Sequence, residues 1–329
     1  MKARTFSMAA GGLALMLSAR AARAQCSAAA IIVRQACTAS VDMVNYMGPQ
    51  MATAIAGGSS SLGQSGSLGG MGRFALTVRG TGVLNGAFPN LDDKGFRSDG
   101  QPQSYTTRDR IIPGVAVDFS MGLTKGASFG ATNVGGLDLI VSALYLPDVK
   151  GEGGDFSIKA TDGNLKLGYG LRIGVFDESI ITPGVYLSYL QRDLPTVSLS
   201  GSSGSASGAG TTQGTFALND FSVKTSAIRL VASKQFVVLG LQAGYGQDTY
   251  KAAAGISATA GGQSTNASTS MSMTRNNMFV GASMNLFLVK VVAEYGTVTG
   301  GSLPPTTNTF DKLASDSRTY LSGGIRIAF

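Results

Sequence analysis

Ten stretches of the chain alternate apolar residues with small or polar ones at a period of two, the pattern of strands with one apolar face. They cover approximately residues 72–84, 111–123, 136–146, 163–176, 181–197, 217–233, 236–249, 271–286, 288–299 and 318–329. Leu137, Leu139, Val141, Ala143 and Tyr145 share a face in the third, and Val185, Leu187 and Tyr189 in the fifth. Val237, Leu239, Leu241, Ala243 and Tyr245 repeat the arrangement in the seventh, and Val289, Val291, Ala293 and Tyr295 in the ninth. Tyr145, Tyr189, Tyr245 and Tyr295 thus close their apolar faces at similar distances from the preceding turn. Such a ring suits a membrane interface, where an aromatic body meets acyl chains and its hydroxyl meets headgroups. The sixth strand fits worst, because Lys224 and Ser226 precede Ile228 and Leu230 on its apolar face.

The connections alternate in length. Asp177-Glu178-Ser179, Lys234-Gln235 and a turn near Phe287 are short, with a longer link at 124–135. Those after odd strands are long and polar, at 85–110, 147–162, 198–215, 251–270 and 300–317. A hairpin turn at Thr161-Asp162-Gly163-Asn164 predicts that 156–161 extends a hairpin above the membrane. Together these features predict an all-β, antiparallel, up-and-down transmembrane barrel over 72–329. Ten strands are expected, with eight or twelve as alternatives, and both termini at the short-turn, periplasmic rim.

The opposite faces define a lumen. Its charges are Arg73, Arg79, Lys166, Arg172, Arg192, Arg229, Lys290 and Arg326 against Asp118, Asp138 and Glu294, an excess that favours anions. Glycines such as Gly168, Gly244, Gly296 and Gly324 share that face and leave volume. Whether the lumen conducts or is packed with side chains stays open.

Residues 25–71 differ in character. Cys26 and Cys37 can pair in an oxidising compartment, but one continuous helix would separate them by about 16 Å, so a bridge requires a turn between them. Two separate thiols are the alternative. Residues 40–55 read as a helix, with Ser40 as N-cap, Val44, Met47, Met51 and Ile55 on one face, and Pro49 kinking or dividing it. A Gly/Ser-rich linker follows at 57–72. A short helical element tethered ahead of the first strand is either a plug or a periplasmic spacer.

Residues 1–24 read as a secretory signal: Lys2 and Arg4, an apolar stretch from Phe6 to about Ala19, then Ala22-Arg23-Ala24 for the peptidase. Lys2, Arg4, Arg20 and Arg23 leave with it, so the formal +7 falls to about +3 in the mature chain. No basic cluster with interleaved aromatics points to nucleic acid. The sequence has no His, which removes the usual general base, so no enzyme activity is expected. Asp92, Asp93 and Asp99 match no EF-hand spacing and read as solvated loop charges; neither metal nor cofactor is expected.

The final strand puts Leu321, Gly323, Ile325, Ile327 and Phe329 on one face and Tyr320, Ser322, Gly324 and Arg326 on the other. This tail resembles the terminal strand of Gram-negative outer-membrane β-barrels, in which Tyr320, Ile325, Ile327 and Phe329 would act as the assembly signal. The resemblance covers roughly 72–329 and implies an outer-membrane location. It also implies contact with outer-membrane lipid and lipopolysaccharide, and delivery by the barrel-assembly machinery; a monomer is expected. The amino-terminal element is similar to that of the long-chain fatty-acid transporter type, although the Asn-Pro-Ala signature of that family is missing and the strands are fewer. The expected function is a narrow passive channel for small anionic or polar solutes. A closed structural or surface-interaction barrel and a carrier of apolar ligands are the alternatives. Membrane fractionation should place the protein with the outer membrane, and gel migration should be heat-modifiable; a freely soluble species without detergent would contradict the barrel.

Overall fold

The computed structural model describes residue 26 and residues 29–64, 66–146, 149–150, 156–204, 210–303 and 309–329. The expected leader, 1–24, lies outside them. Ten strands form one closed antiparallel ring in chain order: β1 (Phe74–Val83), β2 (Ile112–Thr124), β3 (Gly136–Tyr145), β4 (Leu165–Phe176), β5 (Gly184–Asp193), β6 (Gly214–Phe236), β7 (Leu239–Ala260), β8 (Gln263–Leu286), β9 (Val289–Thr299) and β10 (Arg318–Ala328). The ring closes where β10 pairs with β1, from Ala75 opposite Ala328 to Val83 opposite Tyr320. Phe74 and Phe329 exchange backbone bonds of 3.1 and 2.8 Å at this seam, and their rings lie 5.1 Å apart. Closure leaves no unpaired edge at membrane level, the condition for strands in lipid.

Side chains alternate as the period predicts. Leu76, Val78, Phe119, Leu167, Leu171, Leu230, Leu241, Val280, Val291 and Ile325 all point outward and are exposed. Their neighbours along each strand face inward and are buried or half-buried.

Three strands are far longer than expected: β6, β7 and β8 have 23, 22 and 24 residues. About 9–11 residues span a membrane, so the excess rises beyond it as a three-stranded wall. The outward row of β8 records the boundary, running apolar through Leu286, Met284, Val280 and Met278, then polar through Asn276, Thr274, Ser272, Ser270 and Ser268. The expected loop at 251–270 is therefore a hairpin turning at Gly261 and Gly262, both with positive φ. Its inward row of Ala252, Ala254, Ile256, Ala258 and Ala260 is too weakly hydrophobic to announce a strand. The same boundary accounts for Lys224 and Ser226, which pair with Lys251 and Thr249 above the apolar band. Residues Phe156–Ala160 pair with Val197–Ser202, not across the turn that follows them. The β6–β7 turn falls at Val237-Val238 rather than Lys234-Gln235.

Inside the wall runs one helix, α1 (Ile31–Ala56), of 26 residues and about 39 Å. It starts nine residues before the expected Ser40 cap, with Ala30 as N-cap, and continues through Pro49. Ser40 instead donates to the Ala36 carbonyl at 2.8 Å. The helix packs on β7, β6 and β8, and it is buried on nearly every side. Burial of polar and apolar residues alike, Gln35 beside Val33, Ala36, Cys37 and Ala39, leaves no clean amphipathic stripe and hides Ile31 to Ala39 from a periodicity search. Gly48 allows the close approach, since a Cβ there would lie 2.7 Å from the Ala252 Cβ. Cys26 and Cys37 form a disulfide with Cα atoms 5.8 Å apart, the chain bending before Ile31.

The direction of α1 overturns the expectation that both termini lie at one rim. Ile32 meets Gly261 at the long-loop rim, while the helix ends near Arg192 and Arg229 in the body of the ring. Residues 57–64 and 66–70 then descend, past Arg79 and Asp138, to the short-turn rim where β1 starts. Ala29 and Ala30, just before the helix, thus lie at the rim opposite Phe329. A cysteine at exposed Ala30, in a background with Cys26 and Cys37 changed to alanine, should react with membrane-impermeant maleimide on intact cells; labelling only after the outer membrane is breached would contradict this path.

Candidate functional site

The lumen at membrane level holds the candidate site, and the chain itself occupies it. A helix end leaves its last carbonyls without partners and carries a partial negative charge. Here the last carbonyl of α1 and the next three along the chain receive donors from the wall. Arg192 donates to Ala56 at 2.9 Å, Arg229 to Gly57 and Gly58 at 3.0 Å each, and Arg79 to Ser59 at 2.7 Å. Asn277 adds a second bond to Gly57 at 3.1 Å. Below them Glu294 accepts from the Ser59 amide at 3.1 Å and from the Ser59 hydroxyl and Gln242. Gly58 leaves room for this carboxylate, since a Cβ there would sit 2.4 Å from a Glu294 oxygen and would push it aside. Further down Arg326 bonds Ser61 at 3.0 Å and Gln64, Lys290 donates to Gly63 at 3.1 Å, and Asp138 accepts from the Leu68 amide.

The wall charges also hold one another. Asp118 takes Arg79 at 3.1 Å and Arg192 at 2.8 Å, while Asp138 takes Arg172 at 2.7 Å. Arg229 pairs with Asp248, which also accepts from Tyr250 at 2.9 Å and Asn277 at 3.0 Å. Tyr320 turns inward and donates to Asn277 at 2.8 Å.

Of the expected lumen residues, Arg79, Asp118, Asp138, Arg172, Arg192, Arg229, Glu294 and Arg326 are buried together, with Lys290 half-buried among them. Two do not join them. Arg73 is exposed just before β1, and Lys166 pairs with Asp162 at the opposite rim. Asp248, Tyr250, Arg275, Asn277 and Arg318 were missed. Asp248 was within reach, since it continues the inward row Gly240, Gln242, Gly244, Gly246. The volume expected beside the glycines is taken: the Phe279 ring covers Gly244, and Tyr320 covers Gly296.

The tyrosines form an incomplete ring. Tyr189 aligns through Ile228 with Gln247, two residues above Tyr245; Tyr245 aligns through Met278 with Thr297, two above Tyr295. That equal step is what tilted strands require at one height. Tyr145 breaks it, because Val141, through Tyr169 and Gln191, holds the equivalent place. Ile325 and Phe329 are exposed on the outer face and Ile327 is half-buried there.

In the first long connection, the bond from Thr106 holds the Asp93 carboxyl below its ordinary range, with Arg108 at 3.9 Å. The Arg97 bond takes Asp99 down to about 2, and burial pushes Tyr105, which donates to Gln35 of α1, up to about 12. Among the described residues no group of His, Cys, Asp or Glu is placed to hold a metal ion.

No family model and no curated protein matches the chain. Among solved structures it is similar to Ail, the attachment invasion locus protein of Yersinia pestis, at 12% identity over 79% of this chain and 99% of that one, with a TM-score of 0.27. The toluene transporter TodX of Pseudomonas putida gives 13% over 78% and 88%, with a TM-score of 0.31. An outer membrane channel from Pseudomonas putida F1 gives 7% over 82% and 100%, with a TM-score of 0.34. The ring's own chemistry decides the class: a closed antiparallel sheet with an apolar exterior and a polar, filled interior is an outer-membrane β-barrel.

Proposed function

We propose that the protein is a gated outer-membrane conduit for small solutes, held closed here by its own residues 56–64 and biased toward anions once they move. The bonds from Arg79, Arg192 and Arg229 to four consecutive segment carbonyls carry this reading. They join the wall to a tether, so breaking them opens space without unpairing any strand. An always-open pore, the simpler expectation, does not fit a lumen filled this way.

The anion bias is smaller than the sequence suggested. Eight wall cations (Arg79, Arg172, Arg192, Arg229, Arg275, Lys290, Arg318 and Arg326) face Asp118, Asp138, Asp248 and Glu294. Lys290 and Arg326 are register partners whose partners Gly63, Ser61 and Gln64 belong to the segment. Displacing it would leave two adjacent cations facing the lumen.

One observation favours an apolar-ligand carrier as a second reading. A cavity of about 450 Å³ lies between Met43 and Met47 of α1, Phe88 and Leu91 of the first long connection, and Leu199 and Phe216. Its size is that of a small-molecule site.

In planar bilayers the full chain should be nearly silent, and the Arg192→Gln/Arg229→Gln variant should open often, with anion-favouring reversal potentials. Wild-type conductance equal to the variant's would overturn the gate; silence of the variant and of a chain lacking 25–70 would overturn the conduit. Arg229→Ala strands the buried Asp248 carboxylate and should lower unfolding stability by about 3–5 kcal/mol, read as the denaturant midpoint of the folded gel band; adding Asp248→Asn should recover part of that loss.

A further inference from the structure

The short-turn rim is apolar where water would be expected. Each of its four connections ends in a large exposed hydrophobic residue: Phe129 at 74%, Ile180 at 97%, Val237 at 92% and Phe287 at 100%. Ile181, Val238 and Leu288 stand beside the last three and are exposed as well. Val237 and Phe287 hold positive φ of 53° and 58°, a region disfavoured for such side chains. Glycine or asparagine would relieve that strain, yet bulky apolar residues sit there.

The polar groups of this rim are turned back on the protein. Lys234, whose side chain lies in an outward row, donates to the carbonyls of Ser179, Ile180 and Thr182. Glu178 accepts from the Gln235 amide, and Asp177 accepts from Ser67. Arg73 and Lys125 remain exposed at the same rim. The tips are therefore apolar, and the free charge is positive.

Span length supplies the second argument. From the aromatic boundary to the last strand residue, β7 offers only Leu239 to Tyr245, seven residues. That is short of the roughly 9–11 that a tilted strand needs. Counting on into the turns restores it in three places: Tyr189 to Ile181, Tyr245 to Val237 and Tyr295 to Phe287 each comprise nine residues.

We propose that the short turns are seated in the lipid of the leaflet they face, with Phe129, Ile180-Ile181, Val237-Val238 and Phe287-Leu288 completing the apolar span and Arg73 and Lys125 meeting anionic headgroups. The surface is continuous with the outer band through Phe236, Leu239 and Leu286, which commits it to lipid rather than to a protein.

The chain has no tryptophan, so single-tryptophan variants report position without background. Phe287→Trp and, independently, Val237→Trp in the full chain would be reconstituted in vesicles of phosphatidylcholine and phosphatidylglycerol carrying brominated acyl chains. Met278→Trp marks the lipid-facing wall and Ser270→Trp the wall above it. Both turn variants should lose about twofold or more of their emission to brominated lipid, as Met278→Trp does, and resist aqueous iodide. Emission that iodide quenches and brominated lipid leaves unchanged, as expected for Ser270→Trp, would overturn the proposal. So would protection from iodide that appears only when soluble periplasmic proteins are added.

Discussion

Four consecutive backbone carbonyls, that of Ala56 at the end of α1 and those of Gly57, Gly58 and Ser59 just beyond it, have to find donors inside a ring from which bulk water is excluded, and the rest of the structure is arranged around that need. Arg79, Arg192 and Arg229 supply the donors. Burying their charge is tolerable because each is paired in turn, Arg79 and Arg192 sharing Asp118 and Arg229 holding Asp248. Wall and segment therefore specify each other. Remove the segment and several guanidinium N–H groups lose acceptors; remove the wall cations and the helix ends in an uncapped negative dipole.

This mutual satisfaction also divides the molecule by height. Above the membrane the interior is a soluble-type core, in which Val223, Ile256, Met271 and Met273 surround α1. At membrane level the interior is polar and the core is turned inside out, with hydrocarbon contact on the exterior. The Gly/Ser composition of 57–70 follows from that division. A ten-stranded ring already filled by arginine side chains has room for a backbone with very small side chains and little else.

Strand order, the closed ring and most lumen residues were legible because period-two alternation is strict wherever one face meets lipid. The pattern fades where both faces meet protein or water, which is why β6–β8 were cut short and 251–270 read as a loop. Tyr145 shows a different limit: distance from a turn sets height only when the turns themselves lie level, and register alone reveals that. The first turns of α1, 31–39, could not be read as helix, since buried Gln35 lies among buried Val33, Ala36, Cys37 and Ala39 and leaves no clean division into polar and apolar faces. Nor could sequence tell that Lys290 and Arg326 answer to Gly63 and Gln64 rather than to carboxylates. That pairing depends on a tether folded back through the ring.

The most direct measurement is thiol accessibility at Ser60, which is buried midway along the segment. With Ser60→Cys in the natively folded barrel, small maleimides added from both sides should fail to react until heat or denaturant collapses the folded gel band. Rapid, complete modification while the band remains folded would mean that the lumen is open and residues 56–64 do not fill it.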